Sequence, residues 1–444
     1  MSASPYRRGE FPALDKILDE QLGQTVSSAL PFTNLHGVEV LMPRDMAEEF
    51  VKVAESRGRT PADWVTWTQV GAALFIMGRP EEGIAYCKRA IEMNRCSTTF
   101  FQLACILEGI GRFDEALAIM EEAAVLDGNS KFLGVMHSQA LLRQGRWPEG
   151  WALWQRHMWD FSHQMAMPLW RGESLFGKKI LVWPDGGYGD NIMFFRWFKD
   201  LKEAGAWVAY ACPPNLGTLL EHHPWLDRIF PLPEWENMQF IPKVEIDEPF
   251  DYYVPIMQLA ARFNATVEGV EHDGRCPYIM VPQSGSARFS WTRRANDAHL
   301  RVGLCWKALE RFESVVKRTI PREQVEKLLD VDVEWLNLQY GTRLDDPRCL
   351  EFKMPIGDWE DTADAMAELD VVVTVDTGVA HLAGAMGKPC IAVLDRGSDW
   401  KWLTKRDTSP LYPSMRLVRC KEAGMTDVVA GVVEVLADYS FFDP

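Results

Sequence analysis

The stretch Val372–Met386, VVTVDTGVAHLAGAM, sets an aspartate, a threonine and a glycine where β-branched residues give way to small, helix-compatible ones. A strand that stops at a polar turn and restarts as a helix leaves its first helical N–H groups unpaired, and an anion such as phosphate can take them up. Asp376, Thr377 and Gly378 stand at that turn, outside the carboxyl end of a strand, where open α/β sheets bind their ligands. The rival reading is an ordinary corner in which Asp376 or Thr377 caps the helix. A second corner of the same build is KKILVWPDGGYGDNIMFFRWFKDLKEAGA: strand, glycine-rich turn, helix. Its turn has neither Gly-x-Gly-x-x-Gly nor the Lys-Ser/Thr ending of a P-loop, so it supports no nicotinamide or ATP site. It offers Asp190, which small neighbours leave open to a substrate, and a carboxylate there could take a proton from an attacking hydroxyl. Alternatively, Asp190 caps its own helix.

Both corners need sheets to hold them, and the chain supplies them from Lys178 onwards. KKILVWP, WVAYACP, RIFPL and DYYVPIM read as strands of one sheet; LRVGLCW, VEWLNLQY, LDVVVTVD, PCIAVLD and MRLVRC read as strands of another. Near-continuous apolar strands separated by helices imply parallel sheets covered on both faces. Phe194, Trp197, Phe198 and Leu201 give the first helix an apolar stripe at i, i+3, i+4, i+7, with Gly205 just beyond its end. Between the two sets, residues 282–299 are polar and rich in Ser, Gly and Arg, as an inter-domain linker would be.

The amino-terminal third repeats itself. The turns IMGRPEEG, GIGRFDEA and RQGRWPEG carry Gly78, Gly111 and Gly145, spaced 33 and 34 residues apart, which is the tetratricopeptide period. Leu103, Ile106, Leu107 and Ile110, then Phe113, Ala116, Leu117 and Met120, mark the facing stripes of the middle unit. The small residue of the second helix recurs as Gly83, Ala116 and Gly150, and Trp67 opens the first unit. Residues 43–58 read as a preceding capping helix. Such arrays offer a concave surface to a protein or peptide; the alternative is that this short array only packs against the α/β part.

Composition narrows the class. At 444 residues the chain holds two to four units, and its hydrophobic and charged contents, 47% and 25%, are those of folded globular proteins. A net charge of −16 argues against a surface built to neutralise nucleic-acid phosphates, so no nucleic-acid partner is expected. The start lacks an apolar signal region, and no run approaches the roughly 18 residues of a membrane span, which points to a cytoplasmic protein. The nine cysteines are scattered without zinc-ligand spacing, so neither a metal site nor a disulfide is expected. Asp330 and Asp332 have the spacing of an acidic metal pair but sit at a helix-to-strand turn.

PLWRGESLFGKKILVWPDGGYGDNIMFFRW, GLCWKALERFESVVKRTIP, LQYG, DTADAMAELDVVVTVDTGVAHLAGAMGKP and SDWKWL, in this order after tetratricopeptide repeats, resemble bacterial tetratricopeptide glycosyltransferases related to the family 9 heptosyltransferases. The match runs over roughly residues 67–420. The resemblance implies a GT-B architecture, two Rossmann-like domains facing across a cleft. The domains would be a weakly patterned segment at 1–42, helical repeats at 43–160, an acceptor-side domain at 161–285 and a nucleotide-sugar domain at 286–444. It further implies inverting transfer from a nucleotide-diphosphate sugar, as co-substrate, to a hydroxyl of a protein or glycan, with no cofactor and no bound metal.

Carried over by residue, the family's Gly-Asp is Gly189-Asp190, with Asp190 as general base. The basic residue that meets the donor diphosphate is Lys317, with Arg318 and Thr319 beside it and Lys307 as a competitor. Gln339 would meet the base or ribose. Asp-Thr-Gly-x-x-His is Asp376, Thr377, Gly378 and His381, the last one helical turn beyond Thr377 and able to reach a phosphate or simply to pack. A leaving diphosphate gains negative charge, and helix N–H donors with a nearby cation are what would stabilise it. The loop departs from the family's Glu-Gln-Gly-x-Gly-Asp: here it is Asp185-Gly186-Gly187-Tyr188-Gly189-Asp190, preceded by Pro184, with Gly187, Tyr188 and Gly189 on the acceptor side and Tyr188 able to stack on an acceptor. Trp400 and Trp402 could wall a sugar site or pack in the core. Two other readings share these residues: a non-catalytic repeat scaffold with a nucleotide-sugar module, and a GT-B sugar-nucleotide epimerase.

Overall fold

The computed structural model describes residues 47–48, 51–52, 64–128, 131–157, 165–233, 246, 248–280, 300–308, 318–352, 356–422 and 424–438. Lys317 and the 282–299 linker lie outside them. The repeats form helices α1 (Trp64–Ile76), α2 (Pro80–Met93), α3 (Ser97–Gly109), α4 (Phe113–Leu126), α5 (Lys131–Arg143) and α6 (Trp147–His157). Within each pair the turn glycine, Gly78, Gly111 or Gly145, has φ of +80°, +78° and +78°, a left-handed backbone that a Cβ would strain. Gly83 is small because α1 crosses over it: a Cβ there would lie 2.6 Å from the Gly71 carbonyl oxygen. Residues 47–48 and 51–52 are helical, and Ala47 and Val51 pack on Val70, Ala73 and Leu74.

Two parallel sheets come after the repeats. The first contains β1 (Lys179–Trp183), β2 (Trp207–Cys212), β3 (Arg228–Pro231) and β4 (Tyr252–Pro255) in the order β3-β2-β1-β4. The second contains β5 (Arg301–Cys305), β6 (Glu334–Asn337), β7 (Cys349–Leu350), β8 (Val371–Val375), β9 (Cys390–Leu394) and β10 (Met415–Arg419) in the order β7-β6-β5-β8-β9-β10. Every strand expected from the sequence is present. The addition is β7, two residues at the sheet edge that are too short to leave an apolar run. Every residue of β8 and β9 is buried, as strands covered on both faces must be.

Each chain path starts mid-sheet, runs to one edge and then crosses to the other side. The crossing points lie between β1 and β4 and between β5 and β8, and it is at the carboxyl ends of strands flanking such points that doubly wound sheets bind ligands. Helix α7 (Tyr188–Phe194) leaves the first crossing; α8 (Trp359–Ala367) precedes β8 and α9 (Gly378–Ala385) succeeds it at the second. One apolar cluster joins α6 to both sheets, through Trp151, whose ring meets Trp154, Phe194 and Trp400 edge-on at 5.8, 6.4 and 5.5 Å. The third repeat is therefore packed into the α/β part. Among the described residues no helix is long and apolar enough to cross a membrane.

Candidate active site

On the second sheet, β8 delivers the chain to Asp376 and Thr377. Thr377 holds the N-cap position of α9 with extended backbone (φ −143°, ψ 174°) but makes no side-chain cap; its hydroxyl lies 3.3 Å from that of Thr374. The capping alternative therefore fails for Thr377, and the first N–H groups of α9 remain for another acceptor. Gly378 is pinned by the Trp359 ring, which occupies the space a Cβ would need. Asp376 is buried, which raises its carboxyl, while the charges of Lys401 and, less strongly, Arg318 oppose that rise. At the end of β5, Lys307 bridges Thr319, so the two flanks of the segment containing Lys317 meet beside the sheet. Lys307 and Arg318 are both exposed there. Gln339, half-buried at the end of β6, accepts the Lys307 N–H at 2.9 Å through its side-chain carbonyl, which ties β6 to β5.

On the first sheet, β1 ends at Trp183 and the chain turns through Gly186 at φ +72°. Gly187 is the N-cap of α7, and its N–H donates to Asp190 Oδ2 at 2.8 Å, so Asp190 does cap its own helix, with one oxygen. The loop is braced from below by Asn191, whose side-chain amide donates to the carbonyls of Asp185 (3.1 Å) and Gly187 (2.8 Å) and whose oxygen accepts Tyr210 Oη at 2.7 Å. Asp185 accepts the Gly186 N–H at 2.9 Å, but its Oδ2 is enclosed without a partner. Burial, resisted by that hydrogen bond and assisted by Asp190, pushes its carboxyl up to about 7.

The two corners touch. A Cβ on Gly189 would come 2.6 Å from His381 Cδ2 and 3.5 Å from Gly378 Cα, so only glycine lets the loop rest on α9. His381 is 1% exposed, with Nδ1 2.9 Å from Tyr412 Oη and its ring stacked on Trp402 at 5.1 Å. Burial, with Lys401 adding to it, drives the imidazole well below its ordinary value, so it is neutral. Of the two options for His381, packing is what this arrangement shows. Tyr188 is engaged as well: its hydroxyl donates to the Pro214 carbonyl at 2.9 Å and its ring leans on Trp359 at 5.4 Å, so it is not free to stack on an acceptor. The sugar-wall option for Trp400 and Trp402 fails for the same reason, since they are 4% and 0% exposed.

Between these tryptophans lies a residue that the sequence patterns do not single out. Lys401 Nζ is 3.2 Å from Asp190 Oδ1 and 3.0 Å from Asp399 Oδ2, while the lysine is only 7% exposed. Burial would lower its pKa, but Asp190, Asp399 and Asp376 outweigh burial and hold it above the ordinary lysine value. A single lysine inside the aromatic run SDWKWL is the available signal. Asn191, next to Asp190, gives none beyond its position.

Two doubly wound parallel sheets thus bring together a carboxylate on one and a helix start with no side-chain cap from Thr377 on the other. Residues 358–425 match the sequence model of glycosyltransferase family 9 (heptosyltransferase), and residues 66–95 and 97–129 match the tetratricopeptide repeat. The chain thus joins tetratricopeptide repeats to a segment similar to the family 9 glycosyltransferases. Protein FlbA of Caulobacter vibrioides is 25% identical over 421 residues, 86% of this chain and 68% of FlbA. Among solved structures, the E. coli ADP-heptose lps heptosyltransferase II is 16% identical, over 60% of this chain and 98% of its own, with a TM-score of 0.38. The glycosyl transferase family 9 protein of Veillonella parvula is 12% identical, over 56% and 88%, with a TM-score of 0.36.

Proposed function

We propose that the two sheets form a GT-B pair and that the chain transfers a sugar, with inversion, from a nucleotide-diphosphate donor to a hydroxyl of a protein or glycan. The observation that carries this reading is the contact of Gly189 with His381 and Gly378, which brings Asp190 of one sheet against the start of α9 on the other. In the reaction the acceptor hydroxyl attacks the anomeric carbon, Asp190 takes its proton, and the bond to the diphosphate oxygen breaks. The diphosphate leaves carrying the bonding electron pair. Its growing charge meets the N–H groups at the start of α9 and the cations of Arg318 and Lys317. Each donor aimed at such charge lowers the barrier by about 2.7–4 kcal/mol. Asp376 sets the strand end that carries those N–H groups, Gln339 meets the nucleoside, and His381, packed on Tyr412 and Trp402, backs the Gly189 loop. Those cations and N–H groups supply the charge compensation, so the reaction needs no resident metal or cofactor.

The test is a thermal-shift screen of the full chain against ADP-, UDP- and GDP-sugars, followed by release of nucleoside diphosphate. A donor at 100 times its dissociation constant stabilises by about 2.7 kcal/mol. Asp190→Asn is expected to bind that donor with near-wild-type affinity and to lose turnover by about 100-fold or more. Undiminished turnover in Asp190→Asn would sink the mechanism, and binding with no turnover over a broad acceptor set would favour the scaffold reading.

A further inference from the structure

We propose that Lys401 is the positioning residue for Asp190 and that Arg143 of the repeats holds the far end of the same line of charges. The inference rests on Asp190 as the base. Lys401 sits on the short 3-10 turn Trp400–Trp402, and neither flank can move freely. Trp400 is wedged among Trp151, Trp154 and Phe194, and Trp402 is stacked on His381. The ammonium so fixed reaches across to the first sheet, to Asp190 Oδ1, while Asp190 Oδ2 is held by the Gly187 N–H. Each carboxylate oxygen thus has its own anchor, one from its own loop and one from the opposite sheet. About a fifth of the Asp190 side chain, 20%, stays open, which leaves it reachable by a hydroxyl.

A buried ammonium persists only where carboxylates surround it, and this one has three: Asp190, Asp399 and, within electrostatic reach, Asp376. Helix α5 packs against the Trp400–Trp402 turn, which brings Asp399 within electrostatic reach of Arg143 at the end of that helix, a buried guanidinium already paired with Glu108 of α3. The sequence Glu108, Arg143, Asp399, Lys401, Asp190 therefore alternates in sign from the repeats to the base. Removing the repeats' end of it leaves Asp399 freer to draw Lys401 away from Asp190.

Two measurements on the full-length protein decide the matter, using Lys401→Met, Lys401→Arg, Arg143→Met and the double variant Lys401→Met/Asp399→Asn. Methionine keeps the length of the side chain without its charge, and arginine keeps the charge, so packing and charge roles give opposite orders. The first measurement is hydrogen exchange of the peptide covering 185–191. Lys401→Met is expected to speed it about tenfold, Lys401→Arg to restore it, Arg143→Met to speed it less, and strand β2 to remain unchanged. The second is kcat and KM for the ADP-, UDP- or GDP-sugar that the wild type turns over. A misplaced base costs on the order of 100-fold, so Lys401→Met should lose that in kcat with KM within about threefold, and Lys401→Arg should recover most of it.

The double variant relieves carboxylate repulsion and should regain stability but not kcat. Full kcat in Lys401→Met, an equal loss in Lys401→Arg, or recovery in the double variant overturns the proposal, as does unchanged exchange of 185–191. If the wild type turns over none of the sugars, the transfer reading fails, and the exchange result alone decides whether Lys401 positions Asp190.

Discussion

A methyl group on Gly189 tests whether the two corners must touch. In Gly189→Ala the new Cβ would lie 2.6 Å from His381 Cδ2 and 3.4 Å from its Nε2, where carbon pairs prefer about 3.5–4.0 Å, so something must move by about 1 Å. His381 cannot yield: Tyr412 holds its Nδ1 at 2.9 Å, Trp402 covers its ring, and Tyr412 itself lies against Gly384. The movement falls on the 185–190 loop, which carries Asp190. Overpacking of this kind costs about 1–3 kcal/mol, and a displacement of about 1 Å at a catalytic group costs on the order of 100-fold in rate. Urea denaturation and turnover of the same preparation measure both. The cycle with His381→Ala, which removes the obstructing ring, should show a coupling of about 0.5–3 kcal/mol, the double variant being less unstable than the sum of its parts. Stability within about 0.5 kcal/mol of wild type in Gly189→Ala, or strict additivity in the cycle, would refute the contact.

Asp185 gives a pH signature. Its folded value of about 7 exceeds the roughly 4 of an unfolded aspartate, so its contribution to stability is fully present below about pH 4 and is lost as pH rises through 7. Asp185→Asn, which cannot ionise, should therefore exceed wild type by about 1–2 kcal/mol at pH 8, after discounting for solvent screening, and show no such gain at pH 4; a pH-independent difference in thermal melts would refute this. Trp151→Ala removes the ring shared by α6, α7 and the Trp400 turn and should cost about 3–5 kcal/mol in urea, with α6 becoming sensitive to protease; a loss below about 1 kcal/mol would show that the repeats are not seated through it.

The strands and the repeats are legible in the sequence because their signals are local. Apolar runs such as VVVTV and CIAVL are buried from end to end, and the glycines at 78, 111 and 145 are fixed by the backbone of their own turns. What stays hidden depends on which distant segments meet. Nothing near Tyr188 says that its ring will lean on Trp359, or that its hydroxyl will be taken by Pro214. Lys401 is one charge among many until the fold sets it against Asp190, some 200 residues earlier in the chain. Asp190 shows a further limit: cap and candidate base read as alternatives along the chain, but a carboxylate has two oxygens, and here one caps while the other pairs.

The same geometry narrows what the repeats can do for an acceptor. Their junction with the α/β part is graded. At α6 it is dry and aromatic, continuous with the core. At the α3/α4 turn it opens into a cavity of about 310 Å³ lined by Gly111, Phe113, Asp114, Arg396, Lys405 and Arg419, where Lys405 and Asp114 pair at 2.7 Å with both side chains mostly in solvent. An exposed pair of that kind contributes less than about 1 kcal/mol, whereas the tryptophans of α6 contribute several. The third repeat is thus fixed against the α/β part, and through Arg143 it comes within electrostatic reach of Asp399, the partner of Lys401. If the array recognises an acceptor, α1 and α2 are the helices free of these ties, since α3 is bound to the third repeat through the buried Glu108–Arg143 pair.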